Sequence, residues 1–176
     1  MRDQVFIIAE AGVNHNGSRE LAFELIEAAS KAGANAVKFQ SFKVEKLVCR
    51  RASKASYQIK QTGSRESQYD MLKKLQLSEN LFKELARHCK VHKIQFLSTP
   101  FELESLKFLL QELKLPLIKL PSGEITNAPL LLETARARKP ILISSGKSDF
   151  FNSLLINSEV SIISASMTSY SPFKIV

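Results

Sequence analysis

Short apolar runs alternate along the chain with longer stretches in which apolar residues recur at helical spacing. The runs predict strands at residues 5–9, 36–40, 95–98, 117–120 and 141–144, and residues 160–164 form a weaker sixth candidate. Each run is apolar on both faces and is closed by polar residues or glycine, which is typical of parallel strands covered by helices. The pattern therefore predicts an α/β fold built from repeated strand–helix units.

Residues that commonly begin or end helices occur in the stretches between the strands. Ser18 and Ser78 stand where N-caps belong, Gly33 supplies a stop for the first helix, and Pro129 suits a first helical position. The predicted helices cover residues 19–32, 79–90, 103–113 and 129–137.

Residues 43–74 do not follow the alternation of strands and helices. The segment is rich in Ser, Lys and Gln and is longer than an ordinary strand–helix connection, so it is either a binding loop or a plain insertion. Tyr69, Met71 and Leu72 predict a short docked helix at its end.

Two architectures fit the alternation, a (β/α) barrel and an open doubly wound sheet, and both bind ligands at the carboxyl ends of their strands. The polar residues that close the five runs are therefore expected to converge. A closed barrel typically needs about 250 residues. With five clear strand–helix units and a weaker sixth strand, a chain of 176 residues is too short to close such a barrel.

Composition and charge bear on the class of ligand and on the cellular compartment. The apolar content of 44% and charged content of 24% are typical of a globular protein, and the net charge of +8 either favours anionic ligands or reflects a lysine-rich surface. No nucleic-acid signature, signal peptide or membrane span is evident. Cys49 and Cys89 match neither a disulfide framework nor a zinc motif, so we expect a reducing cytoplasmic location.

Two lysines close strands where apolar residues are expected. Lys38 and Lys119 are candidate anion clamps, because an ammonium group can approach phosphate oxygens closely. Two alternatives remain open: a Schiff base with a carbonyl substrate, or a lysine that extends from the strand end to solvent.

Carboxylates and hydroxyls occupy neighbouring strand ends. Glu10 and Glu124 are candidates for acid–base chemistry, for binding substrate hydroxyls, or for structural ion pairs with the lysines. Thr99, Ser122 and Ser144 offer hydroxyl groups that can surround a phosphate, although such residues also serve as ordinary turn or cap residues.

The three histidines match no metal motif. His15 is expected to donate a hydrogen bond to a ligand or to shape the turn after the first strand. His88 and His92 are spaced as an i,i+4 pair but lack the glutamate of the HExxH motif, so we expect solvated surface histidines.

Taken together, the strand-end segments resemble the sialic acid synthase family, which makes N-acetylneuraminate and relatives such as legionaminate. The resemblance covers about residues 5–148, and its motifs occur in the family's order. They are IAEAGVNHNG (8–17), AGANAVKFQ (32–40), STPF (98–101), KLPSGEITN (119–127) and KPILISSG (139–146).

The resemblance implies a TIM barrel followed by a small antifreeze-like domain, in a homodimer that condenses phosphoenolpyruvate with an N-acyl-mannosamine-type sugar. It also implies a divalent cation, Mn²⁺ or Mg²⁺. Glu10 is implied to lie near the reacting carbons, Gln40 to line the pocket and Glu124 to contact the sugar. The residues implied to hold phosphoenolpyruvate are Lys38, Thr99, Lys119, Ser122 and Ser144.

The chain also departs from the family pattern. The family's metal-ligand histidines lie on later strands, so no metal ligand is assigned here. The resemblance therefore implies an α/β fold that is an incomplete TIM barrel, with about five to six of its eight units. Residues 1–148 are expected to form this first part of the barrel, and 149–176 a divergent tail with a remnant of the sixth strand and no antifreeze-like domain. We therefore expect a truncated, inactive synthase fragment, with a Schiff-base aldolase and a non-catalytic anion-binding fragment as the alternatives.

Overall fold

A computed structural model describes residues 5–50, 67–144 and the backbone of 161–162. Six strands lie in this part of the chain: β1 (Ile8–Gly12), β2 (Ala36–Ser41), β3 (Gln95–Pro100), β4 (Ile118–Leu120), β5 (Ile141–Ile143) and β6 (Ser161–Ile162). The helices there are α1 (Arg19–Lys31), α2 (Val44–Leu47), α3 (Gln68–Leu75), α4 (Glu79–Val91), α5 (Leu103–Lys107) and α6 (Ala128–Arg136). No described helix has the length and apolar character needed to cross a membrane.

The strands pair in parallel. One hydrogen-bonded sheet has the order β1-β2-β3 and a second has the order β4-β5-β6, with β4 lying beside β3. The register places Glu10 opposite Lys38, and Gln40 opposite Thr99. This confirms the α/β fold with parallel strands, whereas the number of barrel units stays a prediction.

The two faces of the strands bury different residues. Phe39, Phe96 and Ile118 pack with the helices in the larger apolar cluster. On the other face, a smaller cluster joins β1, β2, β3 and β5 through Ile8, Ala36, Leu97 and Leu142. Because these four strands share one inner cluster, the strands curve around a common interior, as in part of a barrel.

Local signals in the sequence explain most of the helix starts. The hydroxyl groups of Ser18 and Ser78 each accept a hydrogen bond at 3.2 Å from the backbone three residues on, which confirms both N-caps. The expectation for Pro129 was wrong by one position. Asn127 caps α6 and Ala128 is its first residue, so Pro129 is second, where its missing N–H is still harmless.

Three elements differ from the pattern-based expectations. The first strand covers Ile8–Gly12 rather than residues 5–9, so Glu10 lies within the strand and not after it. The helix expected over 103–113 widens at its end into a π-helical turn, Phe108–Glu112. Within the polar segment 43–74, α2 and the expected short helix α3 are present, and residues 51–66 lie outside the described part.

Candidate functional site

An ion pair spans the first two strands on the inner face. The Nζ atom of Lys38 contacts Oε2 of Glu10 and donates a hydrogen bond to Oγ1 of Thr99 at 3.5 Å. Lys38 is only 8% exposed and Thr99 only 2%. Alternation along the strands accounts for this grouping, because residues two apart share a face. The same inner face is apolar at Ala36 and Leu97, two positions before Lys38 and Thr99.

A second lysine extends the site to β4 and β5. The Nζ atom of Lys119 donates to Oγ of Ser144 at 2.6 Å and to the carbonyl oxygen of Leu120 at 2.8 Å. Burial, aided by the nearby positive charge of Lys38 and opposed by Glu10, lowers the pKa of Lys119 to about 8. The two lysines therefore lie near enough to interact, on the same side of the strands.

Glu10 keeps one oxygen available. Its Oε1 is buried and has no hydrogen-bond partner among the described residues. A Cβ atom at Gly12 would lie 3.1 Å from this oxygen and 3.4 Å from Nε2 of Gln40. Gly12 also has a φ of +48°, a conformation that favours glycine. The glycine therefore leaves room for both polar side chains at the end of β1.

The turn after β1 is built around a buried histidine. His15 is fully buried, and its Nδ1 accepts a hydrogen bond of 3.0 Å from the backbone N–H of Gly17. Its ring stacks near Phe39, and burial lowers its pKa. Of the two roles expected for His15, shaping the turn therefore matches the contacts shown.

Two of the expected site residues lie farther along the chain, in the turn after β4. Ser122 begins a short 3-10 turn and is exposed. Glu124 ends this turn, and its Oε2 accepts a hydrogen bond of 2.7 Å from Nδ2 of Asn127, the cap of α6. Among the described residues, neither side chain contacts Lys38 or Lys119 through a hydrogen bond or ion pair. Their roles stay predictions.

This arrangement is suited to a small anion. Among the described residues, two ammonium groups and two hydroxyl groups line one face at the carboxyl ends of the strands, and one carboxylate, that of Glu10, lies beside them. Charge-assisted hydrogen bonds from lysine to phosphate or carboxylate oxygens are short and strong in partly buried sites. The described residues therefore favour a ligand with more than one negative charge.

Among the described residues, the strand-end side chains do not form a ligand set for a divalent cation. In residues 5–50 and 67–144, neither Glu10 nor Glu124 belongs to a group of three potential metal-ligating side chains. Glu10 is moreover paired with a lysine, which competes for its negative charge. No step of the chemistry is therefore assigned to a metal at this part of the site.

The expectation of solvated histidines on α4 was wrong. The side chain of His88 is 22% exposed and lies 3.3 Å from Oε1 of Glu27, on α1. His88 and His92 are also in ring contact. The i,i+4 spacing indicated that the two histidines are neighbours, but only the packing of α1 against α4 brings in a carboxylate from so far away in the sequence.

Parallel strands that curve around a common interior, with apolar residues inside it and two lysines at the carboxyl ends of the strands, define a TIM-barrel-type α/β protein. This chain belongs to the NeuB family, which matches residues 25–167. That assignment confirms the resemblance to sialic acid synthases.

Two relatives with named activities agree with the assignment. The N,N'-diacetyllegionaminic acid synthase of Campylobacter jejuni is 52% identical over 143 residues, which cover 81% of this chain and 42% of that protein. The Legionella pneumophila protein of the same name is 48% identical over 147 residues, covering 82% and 40%. The chain thus spans about two fifths of the length of these relatives.

A solved structure matches the fold. The N-acetylneuraminic acid synthetase of Leptospira borgpetersenii, crystallised with citrate, superposes with a TM-score of 0.69 at 30% identity. The match covers 84% of this chain and 46% of that one.

Proposed function

We propose that this chain carries the phosphoenolpyruvate-binding part of a nonulosonic acid synthase active site. The reaction joins the methylene carbon of phosphoenolpyruvate to the carbonyl carbon of an N-acyl-mannosamine-type sugar. Water attacks the enol phosphate carbon, and phosphate leaves. The named activities of the relatives support this reaction, although the chain covers only 42% and 40% of two of them.

One observation carries the proposal: Lys38, which is buried, and Lys119, which is partly buried, lie on one inner face at the ends of different strands. Phosphoenolpyruvate carries a phosphate and a carboxylate, so two separated cations complement its two ends. Thr99 and Ser144 already hydrogen-bond to these lysines, and their hydroxyl groups can turn to donate to the same anion.

Glu10 is assigned a position next to the reacting carbons. Its Oε2 holds Lys38 in place, while Oε1, buried and without a hydrogen-bond partner in the described residues, is free to accept a hydrogen bond from water or a sugar hydroxyl. Gln40 lines the same pocket beside Gly12. Ser122 is assigned to phosphoenolpyruvate and Glu124 to the sugar, by resemblance to the family.

Calorimetric titration of phosphoenolpyruvate into this chain tests the anion site. We expect saturable binding that Lys38→Met abolishes. Lys43→Met is the matched control, because Lys43, with a side chain 38% exposed, pairs with Glu79 and Glu104 outside the inner face. Binding that survives Lys38→Met unchanged, or that Lys43→Met removes equally, would count against the assignment.

A chimera tests catalysis. Replacing the matching segment of the Campylobacter relative with this chain's residues should preserve phosphate release from phosphoenolpyruvate with that enzyme's own sugar. The Lys38→Met chimera should release none. The 176 residues alone are expected to bind phosphoenolpyruvate without releasing phosphate, and family-like turnover by this chain would refute that part of the proposal.

A Schiff-base aldolase is the second candidate, and the pKa of Lys119 favours it. A lysine whose pKa is lowered to about 8 has a larger neutral, nucleophilic fraction than an ordinary lysine. Borohydride reduction in the presence of pyruvate separates the two candidates. A covalent adduct at Lys119 supports the aldolase, whereas an unmodified chain supports the synthase.

The wider setting follows from the family resemblance. We propose that the intact synthase is a cytoplasmic homodimer that acts with Mn²⁺ or Mg²⁺ and binds neither nucleic acid nor membrane. The side chains that bind this cation would lie outside the described strand-end residues, since these supply no ligand set for it. Gel filtration with light scattering measures the assembly, and metal analysis of the intact enzyme measures the cation.

A further inference from the structure

A second cluster of chemically active side chains lies outside the strand-end site, between two helices. Glu27 on α1 and His88 and His92 on α4 place one potential ligand atom each so that all three lie within 4.8 Å of one another. All three residues are partly buried. A carboxylate and two imidazoles packed together in this way need a partner for their polar atoms.

One polar atom of this cluster lacks a hydrogen-bond partner among the described residues. His88 Nε2 is buried and makes no hydrogen bond to a described residue, although Oε1 of Glu27 is 3.3 Å away. The two imidazole rings lie 4.3 Å apart between centroids, tilted by 49°. The carboxylate and the imidazole are therefore close to each other without sharing a hydrogen bond.

The geometry is close to that of a zinc site. Zinc bonds to histidine nitrogen and carboxylate oxygen at about 2.0–2.1 Å, so the ligand atoms of a tetrahedral site lie about 3.3 Å apart. One pair, His88 Nε2 and Glu27 Oε1, already has a separation of 3.3 Å, and the largest separation in the cluster does not exceed 4.8 Å.

The surroundings hold these side chains in place. The ring of Phe23 packs edge-on against His88, with centroids 4.7 Å apart. The hydroxyl of Ser30 donates a hydrogen bond of 2.9 Å to the carbonyl oxygen of His92, which ties the end of α4 to α1. Supporting contacts of this kind fix ligand orientation in protein metal sites.

We propose that Glu27, His88 and His92 form a zinc site that clamps α1 to α4. Two imidazoles and one carboxylate are a ligand set that zinc accepts, with a water molecule completing the tetrahedron. The ligands hold the metal from two different helices, so binding stabilises the packed helix pair over its separated form.

The position of the cluster supports a structural role. It lies toward the carboxyl ends of α1 and α4, which lead into the amino ends of β2 and β3. The lysine site is at the opposite, carboxyl ends of these strands. In barrels of this type the amino-terminal face contributes stability, whereas ligands bind at the other face. The zinc site is therefore separate from the anion site and independent of the proposed reaction.

Competition with a chromophoric zinc chelator measures the affinity of the whole chain for Zn²⁺. We expect one zinc ion per chain, and His88→Gln or His92→Gln should weaken binding by at least about tenfold, because each removes a ligand. Co²⁺ in place of Zn²⁺ should give the intense visible absorption of a four-coordinate site, which the variants lose. Thermal unfolding should shift upward with Zn²⁺ in the parent chain and not in His92→Gln.

Matched controls separate this site from others. Glu24→Gln removes the same charge from an exposed position one turn away on α1 and should leave zinc affinity unchanged, whereas Glu27→Gln should lower it. Cys49→Ser, which removes the exposed thiol, should also leave it unchanged. Circular dichroism of each variant verifies folding. Zinc affinity that is the same in Glu24→Gln, Glu27→Gln and His92→Gln, or binding lost with Cys49 alone, overturns the proposal.

Discussion

Glu10 and Lys38 occupy directly paired positions on β1 and β2, and their side chains meet as an ion pair on the inner face of the strands. The lysine is more buried than the glutamate, with side chains 11% and 30% exposed. Each charge therefore depends on the other for its solvation, which ties the anion site to the stability of the first two strands.

Removal of one member of this pair should destabilise the chain. Lys38→Met leaves a partly buried carboxylate unpaired, and we expect the free energy of unfolding to fall by about 1–3 kcal/mol. Glu10→Gln in the same chain should restore most of this loss, because a neutral amide tolerates burial better. Denaturant unfolding of the two single variants and the double variant gives the coupling energy. Additive losses would show that the pair does not interact.

Phosphoenolpyruvate binding should weaken as the pH rises past 8. Burial lowers the pKa of Lys119 to about 8 from 10.5, so its positive charge is lost in a range where ordinary lysines stay charged. We expect the affinity to fall about tenfold between about pH 7 and pH 9 as this charge disappears. Lys119→Arg keeps its charge throughout, so any binding it retains should not vary over the same range. A flat profile in the parent chain would remove Lys119 from the anion site.

The titration of Lys119 should also affect stability, but here the effect of rising pH is favourable. Between pH 8 and 10.5 the unfolded chain holds the Lys119 proton and the folded chain does not. The contribution of Lys119 to the free energy of unfolding therefore rises with pH across this interval. Comparing the pH dependence of unfolding for the parent chain and Lys119→Met isolates this contribution. Identical profiles would contradict the lowered pKa.

Two glycines with the same backbone angle should respond differently to alanine. Gly17 and Gly33 both have a φ of +78°, but a Cβ at Gly17 would lie 2.1 Å from the carbonyl oxygen of Lys74, whereas a Cβ at Gly33 meets nothing within 4 Å. Gly33→Ala should cost about 1–2 kcal/mol from the left-handed conformation alone. Gly17→Ala should cost at least about 1 kcal/mol more, because backbone must move. Equal losses in thermal unfolding would place the contact with α3 in doubt.

The two cysteines should differ in reactivity. Cys49 is exposed, whereas Cys89 is buried and its pKa is raised to about 12 by burial. Alkylation near neutral pH should label Cys49 alone in the folded chain and both thiols in denaturant, because only an accessible thiolate reacts. Mass spectrometry counts the labels. Labelling of Cys89 without denaturant would reveal opening of α4.

The apolar and polar pattern was enough to place most strands and caps. Ser18 and Ser78 were recognisable because N-caps have a local chemical cause, and the strands because short apolar runs end at polar residues. The start of β1 was misplaced because Val5 and Phe6, though apolar, are not buried by the described residues, being 80% and 48% exposed. The π-helical turn had no visible signal in the sequence.

The candidate site was only partly predictable. Strand ends converge in any parallel α/β fold, so Lys38 and Lys119 could be expected to lie near one another. Which hydroxyl each lysine contacts depends on strand register, which local pattern does not fix. The Glu27–His88 contact depends on how α1 packs against α4, a tertiary relationship that no local spacing encodes.

The inward-facing side chains of these strands form two layers with different chemistry. Along β2 and β3, two positions separate a layer of apolar side chains, Ala36 and Leu97, from a layer of polar side chains, Lys38 and Thr99. Substitutions in the polar layer would change which ligand binds. Substitutions in the apolar layer would change whether the strands pack together around a common interior. Ligand specificity can therefore evolve at this end of the strands without loss of the packing that holds them together.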